Sequence, residues 1–265
     1  MYYGSIPLQR IGVRTAVVTR LHPDDGELLD DMKAEGVQVY GVAAEETCVM
    51  ENIYPTADQE RRICRAIGFA GSYQLQDIPD VPARVILITP LAAGEVDIPL
   101  LKALARRGPV ALDVQGFVRV REDEPESAAG QAMVFRDWAE KEEGLRHVTY
   151  LKLDRAEGEV LTGQTDRYTT LRAMAELGPS EVVLTYDGAV LVYAEGQFYE
   201  APITPKVKSG RTGRGDTCFA TYEGRRLSTP PQEATRFAAA LTCLKLEKSG
   251  PFRGNTPEVE ARMKP

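Results

Sequence analysis

Between residues 84 and 200, short apolar runs alternate with amphipathic ones, and this alternation restricts the chain to few architectures. The runs at 84–89, 110–113, 148–153 and 181–186 are short and almost wholly apolar, as strands buried on both faces must be. Between them the segments 95–107, 131–143, 156–161 and 166–177 carry apolar residues at helical spacing. Two further strands, 189–194 and 197–200, precede a glycine-rich loop, and helices at 231–249 and 257–263 close the chain. Strands alternating with helices imply an α/β fold in one domain spanning residues 1–265, with a mainly parallel sheet covered on both faces. Such sheets bind ligands at the carboxyl ends of their strands, where Asp113, Asp154 and Tyr186 with Asp187 emerge.

The N-terminal third departs from this rhythm. Residues 1–12 read as a helix carrying Ile6, Leu8 and Ile11 and stopped by Gly12, followed by a short strand at 16–19. Residues 24–36 read as a helix with acids in its first turn and Gly36 as its stop. From 37 to 68 the stretches 37–42, 47–54 and 61–67 alternate at a period of two and are joined by polar turns, sharpest at 55–58. They read as hairpin strands leaving the main sheet, either as a lid over a site or as an edge without function. The run REDEPES at 121–127 is a solvated loop, and no internal repeat or low-complexity tract is present.

The stretch KVKSGRTGRGDTCFATYEG, 206–224, carries the chemistry. Gly210, Gly213 and Gly215 permit backbone angles closed to other residues, and Asp216 and Thr217 open a helical run. The first amides of a helix lack internal partners and carry the positive end of its dipole, so a glycine loop there can close around an oxyanion. A carboxylate beside that anion would repel it as a ligand, but serves as the group that takes a proton from an attacking hydroxyl. Taken alone, the GxGD string also fits an ordinary turn with Asp216 as a helix cap. No GxxxxGK[ST] string occurs, and Cys218 stands where a dinucleotide fingerprint needs its third glycine.

The formal charge of −7 argues against nucleic acid or an anionic membrane as the main partner. Four widely spaced cysteines and two histidines make a zinc site a poor expectation and fit reduced thiols. No apolar run approaches spanning length and residues 1–20 lack the layout of a signal peptide, so a cytoplasmic protein is expected.

With these segments in order, the chain resembles the PfkB, or ribokinase-like, family of carbohydrate kinases, closest to its myo-inositol kinase branch. TGRGDTCFA (212–220) is similar to the family's TGAGDTF-type signature, with Arg214 where a small residue is commoner. YLKLDRAEGEVLTG (150–163) is similar to the strand, NxxE and LTG segment, with Asp154 for the asparagine and Glu157 as the glutamate. VVLTYDGAVLVY (182–193) and AAALTCLKLEKSGP (238–251) resemble the elements on either side of the nucleotide loop. In ALDVQGFVR (111–119), a DxQ pattern with an arginine six residues after the aspartate resembles the inositol kinases.

The resemblance implies a three-layer ribokinase-like fold with a small β lid, and a cytoplasmic phosphotransferase moving the γ-phosphate of ATP, with Mg2+, to a hydroxyl of a sugar or cyclitol, myo-inositol favoured. Asp216 would be the general base, and the amides of Gly213, Arg214 and Gly215 the anion hole. Tyr3, Asp113, Gln115 and Arg119 would bind substrate, though the last three could equally fix their loop. Asp154, Thr185, Asp187, Gly188, Thr212 and Lys248 would line the nucleotide site. Glu157 would act on the metal through water, unless it only pairs with a helix dipole. Dimerisation through the lids is a further implication.

Two departures qualify this. The family's first strand and its GG dipeptide would fall before Met1, which leads to the expectation of a start set too far downstream, or of a fragment. Gly210 stands where the family has an acid, with Arg211 and Arg214 as candidate replacements toward phosphate. The rival readings are a catalytically silent protein of this fold and a kinase for a nucleoside or vitamin precursor.

Overall fold

The computed structural model describes residues 1–53, 63–122, 131–186 and 188–264. Helix α1 (Tyr2–Arg10) leads into strand β1 (Ala16–Leu21). The helix expected over 24–36 divides in two: a 3-10 segment, Pro23–Leu29, opened by His22 accepting the Asp24 amide, and α2 (Asp30–Ala34). Strand β2 (Gln38–Ala43) pairs in parallel with β1, from Ala16 opposite Gln38 to Leu21 opposite Ala43. The segment 37–42 is therefore no hairpin strand of the lid. A parallel return needs a crossover, which the divided helix supplies.

The lid begins at β3 (Val49–Ile53) and its antiparallel partner β4 (Ile63–Gly68); the expected turn at 55–58 lies outside the described residues. Next come β5 (Ile86–Ile88), α3 (Ile98–Ala105), β6 (Val110–Asp113), a single turn α4 (Gln115–Val118), β7 (Arg119–Arg121) and β8 (Gln131–Phe135). The lid sheet runs β3-β4-β8-β7 and is antiparallel throughout. Part of the helix expected over 131–143 is thus strand, and only α5 (Lys141–Leu145) is helical. Gln131 to Val134 are competent helix formers, but pairing with β4 and β7 overrides that weak preference.

The rest follows the alternation: β9 (Tyr150–Asp154), α6 (Arg155–Thr162), α7 (Arg167–Glu176), β10 (Glu181–Tyr186), β11 (Ala189–Ala194), β12 (Gln197–Pro202), α8 (Arg214–Arg226), α9 (Pro231–Leu246) and α10 (Thr256–Met263). The main sheet has the order β12-β11-β10-β9-β6-β5, with β5, β6, β9 and β10 parallel and β11 and β12 antiparallel. The β1-β2 pair forms a separate sheet, and among the described residues no strand joins it to β5.

The period of two sorts the strand residues into two cores. Leu112, Leu151, Leu153, Val182 and Leu184 pack with Leu101, Leu104, Leu161, Leu171 and Met174 on one face. Ala111, Val183, Val190 and Val192 pack with Cys218, Phe219, Tyr222, Ala238 and Cys243 on the other. Asp113 and Lys152 have the parity of the second set, so strand geometry alone turns both toward the face that α8 covers.

Candidate active site

Helix α8 starts at a glycine because nothing else fits. Gly213 is left-handed at φ 79°, and a Cβ there would lie 2.0 Å from the Tyr3 ring, which covers the loop from α1. Thr217 Oγ1 donates to the Tyr3 carbonyl at 2.8 Å and fixes α1 against the new helix. The Arg214 amide donates to the Arg211 carbonyl at 3.2 Å. Among the described residues the amides of Gly213, Gly215 and Asp216 have no acceptor, and no group holds the half-buried Asp216 carboxylate. Of the amides expected to form an anion hole, those of Gly213, Arg214 and Gly215, the middle one is taken by its own turn, while that of Asp216 has no acceptor among the described residues.

Beneath this turn lies a buried charge network. Lys152, on β9, is fully enclosed, with Asp113 at 3.0 Å and Glu157 at 3.5 Å; a Cβ on Gly215 would stand 3.4 Å from its Nζ. Asp154 and Glu157 form a reciprocal cap on α6, each carboxylate accepting the other's backbone amide at 2.9 and 2.7 Å. Arg119 closes the network, at 3.1 Å from Glu157 and 3.7 Å from Asp154. Burial raises the Glu157 carboxyl to about 7, with Lys152 and Arg119 opposing the rise. Asp113 is likewise raised by burial, against Lys152.

A second enclosed ammonium sits on the loop side. Lys245, on α9, donates to the carbonyls of Gly210 and Thr212 at 2.5 Å each and lies 5.0 Å from the Tyr3 ring centre. Burial lowers it to about 8, and Asp216 is near enough to oppose the shift. Gly210 cannot carry a side chain, because a Cβ would meet the Lys248 carbonyl oxygen at 2.2 Å. The acid absent from this position is therefore excluded by space.

Several expected residues stand elsewhere than foreseen. Asp113 and Arg119, assigned to substrate, are 1% and 9% exposed and bond into the network, which is the loop-fixing alternative. Gln115 donates weakly to the Pro90 carbonyl at 3.4 Å. Thr185, assigned to nucleotide, is 2% exposed inside β10 and reaches no surface. Gly188 is exposed and left-handed, Thr212 and Lys248 are exposed beside the loop, and Asp187 lies outside the described residues. Magnesium does not fit at Glu157: that carboxylate is 0% exposed and held by an amide and two cations. Among the described residues no group of three or more acidic, histidine or cysteine side chains could hold a metal ion. Lys152 and Lys245 were missed, although a lysine inside an apolar strand, and another inside an apolar helix, are rarely buried without partners and so carry a legible signal.

No protein-family model matches the chain, and no curated protein matches it. Solved structures do. A sulfate complex of a pyrophosphate-dependent kinase in the ribokinase family is 32% identical over 98% of this chain and 90% of its own, with a TM-score of 0.88. A variant that converts a pyrophosphate-dependent myo-inositol-1 kinase into a myo-inositol-3 kinase is 31% identical over 98% of this chain and 88% of its own, with a TM-score of 0.86. The ribokinase of Arabidopsis thaliana, complexed with ribose and ATP, shares the fold at 21% identity over 99% of this chain and 86% of its own, with a TM-score of 0.75. The α/β layers, the lid and these likenesses together establish that the chain belongs to the ribokinase family of carbohydrate kinases, enzymes that transfer a phosphoryl group to an alcohol.

Proposed function

We propose that this kinase phosphorylates a hydroxyl of a cyclitol, myo-inositol foremost, and that its donor is pyrophosphate in place of the ATP expected from the sequence. The observation that carries the reaction is the Asp216 carboxylate, unheld among the described residues, beside helix amides that have no acceptor among them. The choice of substrates is supported by the pyrophosphate-dependent kinase complexed with a pyrophosphate analog and myo-inositol, 32% identical to this chain, whereas the ATP complex of ribokinase is similar in fold alone. The burial of Thr185 points the same way, since it removes one expected nucleotide contact.

In this reading the acceptor hydroxyl lies against Asp216, which takes its proton as the new oxygen–phosphorus bond forms. The bridging bond of the donor breaks and inorganic phosphate leaves. The amides of Gly213, Gly215 and Asp216, at the positive end of α8, meet the oxygens of the transferring group. Lys152 beneath Gly215 and Lys245 beside the loop add fixed positive charge close to them. The base and the anion pocket thus lie in the field of the same two lysines. The residues at Glu157 are unsuited to magnesium.

The test crosses two donors, pyrophosphate and ATP, with myo-inositol and a panel of sugars and nucleosides, following phosphorus by NMR. Pyrophosphate with myo-inositol is expected to give an inositol phosphate and inorganic phosphate. Asp216→Asn is expected to lower kcat by about 10²–10⁴-fold, with pyrophosphate binding retained. Wild-type turnover in that variant rejects Asp216 as base. Turnover with ATP alone returns the donor to ATP, and a product confined to nucleosides replaces the cyclitol.

A further inference from the structure

Three features of one loop converge on Lys245. The carbonyls of Gly210 and Thr212 turn toward one point, as alternate carbonyls of an extended segment do, while that of Arg211 between them accepts the Arg214 amide. The ammonium of Lys245 occupies the shared point, 2.5 Å from each oxygen. It approaches from α9, where it is 1% exposed, so nothing mobile supplies the charge. In a planar trans peptide the C=O and the following N–H point in opposite directions. Gripping the Thr212 carbonyl therefore directs the Gly213 amide the other way, and that amide is one of those without an acceptor.

We propose that Lys245 is a positioning residue of the phosphoryl-transfer site: an ammonium built into the chain that orients the Thr212–Gly213 peptide and so aims the first amide of the anion pocket. The inference rests on the kinase reading above and assigns to this lysine the work that two converging carbonyls would otherwise demand of a free monovalent cation. Lys245 is not placed on the substrate. It faces the Tyr3 ring, and its charge is felt together with that of Asp216, which leaves its three protons to the loop oxygens and the ring. Burial drives its titration down to about 8, still protonated at neutral pH, as the two carbonyl contacts require. Gly210 belongs to the same device, since the close approach that forbids a side chain there also brings its carbonyl onto the ammonium.

The decisive variant is Lys245→Met, which keeps the length of the side chain and removes the charge. Its kcat is expected to fall by about 10–100-fold with the KM for the acceptor little changed, because the loss is one of aim. Ammonium or potassium chloride, entering between the two carbonyls, is expected to restore part of that rate, and tetramethylammonium chloride at equal ionic strength is not. The wild-type enzyme is expected to turn over equally in all three salts. A variant of wild-type rate, a loss that no small cation repairs, or a wild type stimulated several-fold by potassium would each overturn the assignment. Should Lys245→Met not fold, the wild-type salt series decides by itself, equal rates supporting the assignment and stimulation removing it.

Calorimetric titration with inorganic pyrophosphate, without acceptor, separates this inference from the reading beneath it. If the wild type binds pyrophosphate, and the variant binds it more weakly until ammonium is added, the positioning role stands even where no alcohol is phosphorylated. If alcohols are phosphorylated but neither kcat nor pyrophosphate binding responds to Lys245→Met, the kinase stands and the positioning role falls.

Discussion

Two glutamates of this molecule are wholly withdrawn from water and are treated in opposite ways. Glu157, at the start of α6, is met by Lys152, Arg119 and the Asp154 amide. Glu223, in the middle of α8, has neither carboxylate oxygen bonded among the described residues. Burial raises both carboxyls, Glu157 to about 7 and Glu223 well above the ordinary range, with Glu181 adding to the second rise and Arg226 opposing it. At the start of α6, counter-charges oppose the rise. Within α8 no hydrogen bond among the described residues holds the carboxylate, and burial dominates.

The sharpest way to break this contrast is to remove a cation from the first cluster. Lys152→Met is expected to cost about 3–5 kcal/mol in urea unfolding at pH 8, since it leaves Asp113 and Glu157 buried without their shared partner. An unchanged unfolding midpoint would mean that the network contributes nothing and that the two glutamates do not differ in kind. The same variant is expected to be inactive, because the floor beneath Gly215 loses its charge.

At the second cluster the expected effect is smaller and of opposite sign. Glu223→Met removes two unbonded oxygens at similar volume and is expected to stabilise by about 1–3 kcal/mol. The pH dependence follows from the direction of the shift. A carboxyl whose folded pKa is raised contributes its full stability below its unfolded value and loses it as pH rises toward the folded one. The gain from Glu223→Met should therefore grow from about pH 4.5 toward alkaline pH, read as melting temperature against pH. A gain that is flat across that range would show that Glu223 already ionises in the folded state.

The smallest effect calibrates the other two. Arg155 and Glu159 form an exposed pair four residues apart on α6, at 2.9 Å with side chains 73% and 38% exposed. Arg155→Ala is expected to change stability by less than about 0.5 kcal/mol, and only at low salt. A larger loss would show that distance, and not burial, ranks the ion pairs of this protein.

Much of the layered fold was legible because strands buried on both faces are short and nearly all apolar. The strand Glu181–Tyr186 coincides with its expected bounds, and α8 begins at Arg214, two residues before the Asp216 expected to open it. The lid was legible only in part. Its strand β8 comes from a segment with helical preference, and a half-buried strand is fixed by partners remote in sequence. The motif at 212–217 revealed a helix terminus with a carboxylate, but not which amides were free, since that depends on a turn closed by the Arg211 carbonyl.

The sequence by itself determined most of the order of strands and helices, the place of the glycine loop and the family, because period, glycine placement and motif are local properties of the chain. Tertiary structure alone decided that Asp113, Arg119 and Glu157 form one buried network around Lys152, and that Lys245 reaches from α9 to the carbonyls of residues 210 and 212. A lysine carries the same letter whether it lies in solvent or between two carboxylates. The energetic consequence of burying its charge appears only when segments far apart in the chain bring the partners within hydrogen-bonding distance.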